Sequence, residues 1–181
     1  MLHSLIAHPD CVSPPSIRID AEVIRSAPAV LKLTYVMTGE TDALRIPTRA
    51  NPKRQDGLWQ HTCFEVFVRS LSALNYIEIN FCPSGEWAGY FFEGYRTGMR
   101  NLILDPPMIE TKLGSGTITL VANMALGDCG TQLSEGILQI GLSAVIEARD
   151  GTKSYWALAH PEGKADFHHP DSFVLQLPGP A

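Results

Sequence analysis

No apolar run in the 181 residues approaches the ~20 that a membrane helix requires, so no membrane partner is expected. The opening residues, Met1 to Asp10, lack both the charged stretch and the roughly 7 to 15 apolar residues of a secretory leader. A cytoplasmic location is the resulting expectation. Charge is scarce as well: charged residues make up 18% of the chain, with a formal net charge of -5, against roughly 25% in an average soluble protein. That balance excludes an acidic disordered chain, and it offers no basic face for a nucleic acid. The short basic run Arg45, Arg49, Lys53 and Arg54 reads as a solvated loop. The four cysteines, Cys11, Cys63, Cys82 and Cys129, show no C-x-x-C or other metal-ligand spacing. Reduced thiols are expected, two of them inside strands. Also missing are a G-x-S-x-G elbow, an H-E-x-x-H pair, a phosphate-cradling glycine loop and a dinucleotide fingerprint.

Helical periodicity is almost absent; what the chain has is a period of two. The pattern predicts strands over 17–24, 30–38, 62–69, 76–82, 87–92, 108–113, 117–125, 137–147, 154–159 and 173–177. Gly, Pro, Asn and Asp separate them at intervals close to those of an antiparallel sandwich. The expected fold is all-β, two antiparallel sheets packed face to face, in one domain spanning residues 1–181. Asp150-Gly151 predicts a hairpin closed by two positive-φ residues, and Gly114-Ser115-Gly116 predicts another. Only Glu93 to Asn101 lacks alternation, and a short helical turn is expected there.

Alternation also assigns faces. In 62–69, Phe64, Val66 and Val68 point to the core while Cys63, Glu65 and Phe67 point away; in 76–82, Ile77, Ile79 and Phe81 point in and Tyr76, Glu78 and Asn80 point out. If the two strands pair as a hairpin, Glu65 and Glu78 share one surface with Tyr76 and Phe67. A carboxylate accepts hydrogen bonds from hydroxyls and a ring covers C–H surfaces, so that surface suits a polyhydroxylated ligand. Its plainer alternative is a solvated outer face. Trp59, Trp87 and Trp156 lie at or near strands, with His61, Tyr90 and Arg96 close by in sequence. His160, His168 and His169 cluster with Asp166 but match no zinc motif; a loop histidine braced by Asp166 is the expected role. His61, His160, Met37, Met99 and Met108 are the available haem ligands, without a defining spacing.

Two stretches, Leu58-Trp59-Gln60-His61-Thr62-Cys63-Phe64-Glu65 and Tyr76-Ile77-Glu78-Ile79-Asn80-Phe81-Cys82-Pro83-Ser84-Gly85, open the likeness to a known family. With Ser154-Tyr155-Trp156-Ala157 and Asp166-Phe167-His168-His169-Pro170, they resemble the bacterial DOMON-like proteins related to family 9 carbohydrate-binding modules. The likeness runs over roughly residues 15–177. It implies a β-sandwich with a ligand site on one sheet, used for sugars in the carbohydrate modules and for haem in some DOMON cytochromes. It further implies that Trp59 and Trp156 stack on a sugar and that Glu65 bonds its hydroxyls, with Asn80 near the same face. The reading is a non-catalytic binding module for a carbohydrate or similar small molecule, with Trp59, Glu65, Trp156, Glu78, Asn80, His61 and Arg96 as ligand-binding residues. No cofactor and no metal are expected; a haem-binding domain and a protein-interaction module are the alternatives.

Overall fold

The computed structural model describes residues 1–12, 14–126, 133 and 136–179; Cys129 and the last two residues, Pro180 and Ala181, fall outside that set. Twelve strands are formed among the described residues: β1 (His3–Ala7), β2 (Ile17–Ala27), β3 (Val30–Gly39), β4 (Cys63–Ser70), β5 (Tyr76–Phe81), β6 (Trp87–Phe92), β7 (Arg100–Asn101), β8 (Met108–Gly114), β9 (Thr117–Ala125), β10 (Leu138–Glu147), β11 (Lys153–Ala157) and β12 (Leu175–Leu177). Single 3-10 turns stand at Thr41–Ala43, Leu58–Gln60 and Pro170–Ser172. No helix among the described residues is long and apolar enough to cross a membrane.

The strands form one curled antiparallel path, β7-β6-β5-β4-β10-β11-β1-β2-β3-β9-β8, with β12 paired beside β11 on the same edge of β10. The path folds over at β1. Its first half pairs with β2, Leu5 opposite Ile19, and its second half with β11, Ile6 opposite Ala157. The result is the expected sandwich. One layer is built on β2, β3, β9 and β8, the other on β7, β6, β5, β4, β10 and β11.

Between the layers, inward residues of both close a continuous apolar core. Ile19, Leu31, Leu33, Tyr35, Met37 and Leu120 come from one side, and Phe64, Val66, Val68, Ile77, Ile79 and Phe81 from the other. Burial of this size is the main stabilising contribution to the fold. Tyr35 ties the layers together as well, because its hydroxyl donates to the backbone carbonyl of Glu65 at 2.6 Å.

The predicted faces of β4 and β5 hold, but the face turned away from the core is not open to water. A second apolar cluster, including Phe67, Tyr76, Tyr90, Phe92, Phe167 and Phe173, covers it. Every residue of β5 is buried as a consequence. The solvated outer face that alternation allows is therefore corrected here: loops distant in sequence fold over it.

Both predicted hairpins form, β10 with β11 and β8 with β9. Gly151 (φ 88°) and Gly116 (φ 63°) supply the left-handed residues, whereas Asp150 is not left-handed, so one positive-φ position closes the first turn rather than two. The helical turn expected over 93–101 is also absent. There the chain makes a tight turn, with the Thr97 N–H donating to the Gly94 carbonyl, and then the short strand β7. Neither β1 nor β7 is predicted from the sequence pattern.

Candidate functional site

The loops that cover the outer face of β4, β5, β6 and β10 leave a cavity of about 570 Å³, within the range of small-molecule sites. Glu65 from β4, Glu78 from β5 and Val145 from β10 line its depth. Tyr90 and Phe92 from β6 line it too, as do Tyr155 from β11 and Phe167 and His168 from the segment before β12. Trp59 stands at the edge on the Leu58–Gln60 turn, 41% exposed, with its indole edge-on to Tyr90 at 5.8 Å between ring centroids. An indole so exposed at a cavity edge offers apolar ring surface to a ligand.

Strand register brings the two carboxyls together. Glu65 lies opposite Asn80 and Phe67 opposite Glu78, so the acids occupy diagonal positions on one face of a hairpin. Glu65 is 2% exposed and Glu78 6%. Only neutral groups donate to them: the Ser143 hydroxyl to Glu65 Oε2 at 3.2 Å, and the Asn80 amide to Glu78 Oε1 at 2.7 Å. Burial raises both acids, Glu78 to about 7 and Glu65 well above the ordinary glutamate range, with the Glu78 charge adding to the effect on Glu65. At neutral pH the pair holds protons that exposed glutamates would have lost. It offers a ligand both donors and acceptors.

His168 completes this depth. Burial, and secondarily Arg96, pushes its imidazole down to about 4, so it is neutral, and its Nδ1 shares a 2.8 Å hydrogen bond with the Tyr76 hydroxyl. Arg96 lines the cavity from the tight turn, in a left-handed conformation (φ 52°) that is costly for a side-chain-bearing residue. Asp166 holds it there: Oδ1 accepts from Arg96 Nε at 3.2 Å and Nη2 at 2.7 Å, and from the backbone N–H of His168 at 3.1 Å. The Tyr95 hydroxyl also donates to Asp166. Asp166 thus braces the loop, as expected, but through Arg96 as much as through its own backbone.

Of the seven residues read from the sequence, four line this cavity: Trp59, Glu65, Glu78 and Arg96. Asn80 is fully buried behind them, orienting Glu78. His61 lies outside the cavity, beside a smaller depression, where its Nδ1 sits 2.7 Å from Glu147 Oε2. Trp156 is on the other side of the sheet. It is buried in the core between the layers, and its indole N–H donates to Ser154 Oγ at 2.9 Å, so it presents no face to the cavity. The reason is register: Trp156 lies opposite Ala144, and Ala144 opposite the core residue Phe64, whereas Tyr155 lies opposite Val145 on the cavity side. The sequence reading passed over Tyr155, Phe92 and Phe167. The alternation Lys153, Tyr155, Ala157 was the one available signal for the first.

The three described cysteines, Cys11, Cys63 and Cys82, are free thiols, and burial raises Cys63 strongly. Among the described residues no group of three His, Cys, Asp or Glu side chains converges as a metal site. Of the haem candidates, Met37 is in the core and Met99 borders the cavity, while His160 bonds the Ile6 carbonyl.

No protein-family model matches the sequence, and no curated protein matches it. Solved structures do match. A "putative carbohydrate-binding protein" from Bacteroides uniformis ATCC 8492 superposes with a TM-score of 0.67 at 12% identity, over 96% of this chain and 83% of the other. A family 9 carbohydrate-binding module from Caldicellulosiruptor kristjanssonii in complex with cellotriose gives 0.58 at 12% identity, over 100% of this chain and 84% of the other. The same organism's family 9 module in complex with glucose gives 0.53 at 12% identity, over 98% and 86%. The likeness is one of fold.

Proposed function

We propose that this chain, folded as a family 9 carbohydrate-binding module, binds a carbohydrate or a similar polyhydroxylated small molecule and performs no reaction on it. The observation that carries the reading is the pairing of an exposed indole, Trp59, with two recessed carboxyls in one cavity. A sugar ring presents C–H groups on its faces and hydroxyls around its edge. Trp59 receives the first; Glu65, Glu78 and Arg96 receive the second. Asn80 and Asp166 act by positioning, since their polar atoms are spent on Glu78 and Arg96. Tyr155 takes the place first given to Trp156 as a second aromatic surface, 6.2 Å between centroids from Phe167. His61 is left out of the contact set. No cofactor enters this reading.

The bound ligands in the family 9 modules that share the fold, glucose and cellotriose, are polyhydroxylated and agree with this chemistry. Tryptophan emission titrated with glucose, cellotriose and a panel of other mono- and disaccharides tests it. A saturable shift with at least one sugar is expected, weakened about tenfold or more by Trp59→Ala, which corresponds to about 1.4 kcal/mol. Unchanged affinity in that variant sinks the stacking role. Silence toward every sugar, or saturable binding of haemin instead, sinks the reading itself.

A further inference from the structure

Two buried carboxyls without a cation are an unusual expense. Among the described residues no Lys or Arg nitrogen lies within 4 Å of Glu65 or Glu78, and the nearest basic group is the His168 imidazole, 3.8 Å from Glu78. Glu65 is 98% buried, faces the cavity, and has no hydrogen-bond partner at Oε1. Two cations line the cavity: Arg96, which is bound to Asp166 and has its charge answered there, and Lys153 from β11, whose ammonium stands more than 4 Å from both carboxyls. Buried acids in folded proteins are ordinarily paired or bound to metal. Here a metal lacks the third acidic or imidazole ligand that would make a cage. What stands around the carboxyls instead is aromatic: Trp59, Tyr90, Phe92 and Tyr155. Rings and carboxylates together are the surroundings that stabilise an organic ammonium, through cation–π attraction and charge-assisted hydrogen bonds.

We infer that the ligand is an amino sugar, whose ammonium sits at Glu65 and Glu78 while its ring lies against Trp59. The inference rests on the carbohydrate reading and narrows it to a charge class. The ammonium supplies the missing partner to Glu65 Oε1, and the remaining hydroxyls face Arg96 and Gln60 at the edge of the cavity. No covalent step is involved; a proton held by the carboxyl pair leaves to solvent as the ammonium enters.

Isothermal titration calorimetry on the full chain at pH 7, with D-glucosamine, N-acetyl-D-glucosamine and D-glucose, tests this directly. The three share a ring and differ in whether position two carries a charge. Glucosamine is expected to bind at least tenfold more tightly than either neutral sugar, and repeating the titration in buffers of different ionisation heat should show proton release. In Glu65→Gln and Glu78→Gln the ratio of glucosamine to glucose affinity should fall toward one, a ratio that does not depend on how well each variant binds sugars in general. Glucose or N-acetylglucosamine binding as tightly as glucosamine overturns the amine and leaves the carbohydrate reading standing. Silence toward all three, and toward cellotriose, overturns both.

Discussion

Replacing Glu78 by Gln should make the fold more stable at pH 8.5 and leave it nearly unchanged at pH 4. Burial raises the Glu78 carboxyl from an ordinary 4.5 to about 7. The folded state therefore holds a proton that the unfolded chain gives up sooner. Its stabilising contribution is fully present below the unfolded value and is lost as pH climbs through about 7. At about 1.4 kcal/mol per pH unit, the interval sets an upper limit of about 3.5 kcal/mol lost between acid and alkaline conditions. The groups that face Glu78 decide whether that limit is approached. Asn80 and Arg96 oppose the shift, and the raised Glu65 carboxyl on β4, Tyr90 and the neutral His168 complete the surroundings. Glutamine keeps an oxygen for the Asn80 amide, cannot ionise, and relieves Glu65 of its neighbour's charge. Urea unfolding followed by tryptophan emission at pH 4, 6, 7 and 8.5 measures the difference. The two proteins should diverge with rising pH, the variant being the more stable above 7. Parallel profiles, or a variant less stable at pH 8.5, would refute the argument that these acids are held at a cost to the fold.

Two further substitutions separate core from site. Trp156→Ala should cost about 3–5 kcal/mol in urea unfolding, because it empties a large buried position between the layers; a loss under about 1 kcal/mol would contradict its place in the core. Tyr35→Phe should cost about 1–2 kcal/mol, since it removes the donor that reaches from β3 to the Glu65 carbonyl and leaves that buried oxygen short of a partner. Unchanged stability in the phenylalanine variant would mean that the bridge between the layers contributes nothing net.

The hairpin of β4 and β5 was legible because each residue's face follows from a strict period of two, and Glu65 and Glu78 came with it. Their burial was not. The cover consists of Trp59 and Leu58 upstream and of Phe167, His168 and Phe173 downstream, and no local pattern says where such loops will lie. Trp156 was misplaced for a related reason. On β11 the polar-apolar contrast runs against the packing: Ser154, a polar residue, shares the buried core face with Trp156, while the aromatic Tyr155 is exposed on the opposite face. Arg96 was assigned to the site from its neighbourhood in the chain, but the turn that aims it was expected to be helical. Strand β1 escaped notice because five residues with one buried position carry almost no periodic signal; its partners define it.

That short strand governs how the protein must assemble. Ile6 meets Ala157 across about 150 residues of intervening chain, and closing so long a loop carries a large entropic cost before any contact repays it. On a ribosome the first strand made waits for the penultimate stretch of the domain before its second edge can close. Until then the second half of β1, Ile6 and Ala7, keeps an unpaired edge, the form of surface on which strands of another copy add. Folding should therefore be slow and concentration-sensitive, and the exchange of β1 between two chains is the error that this topology leaves open.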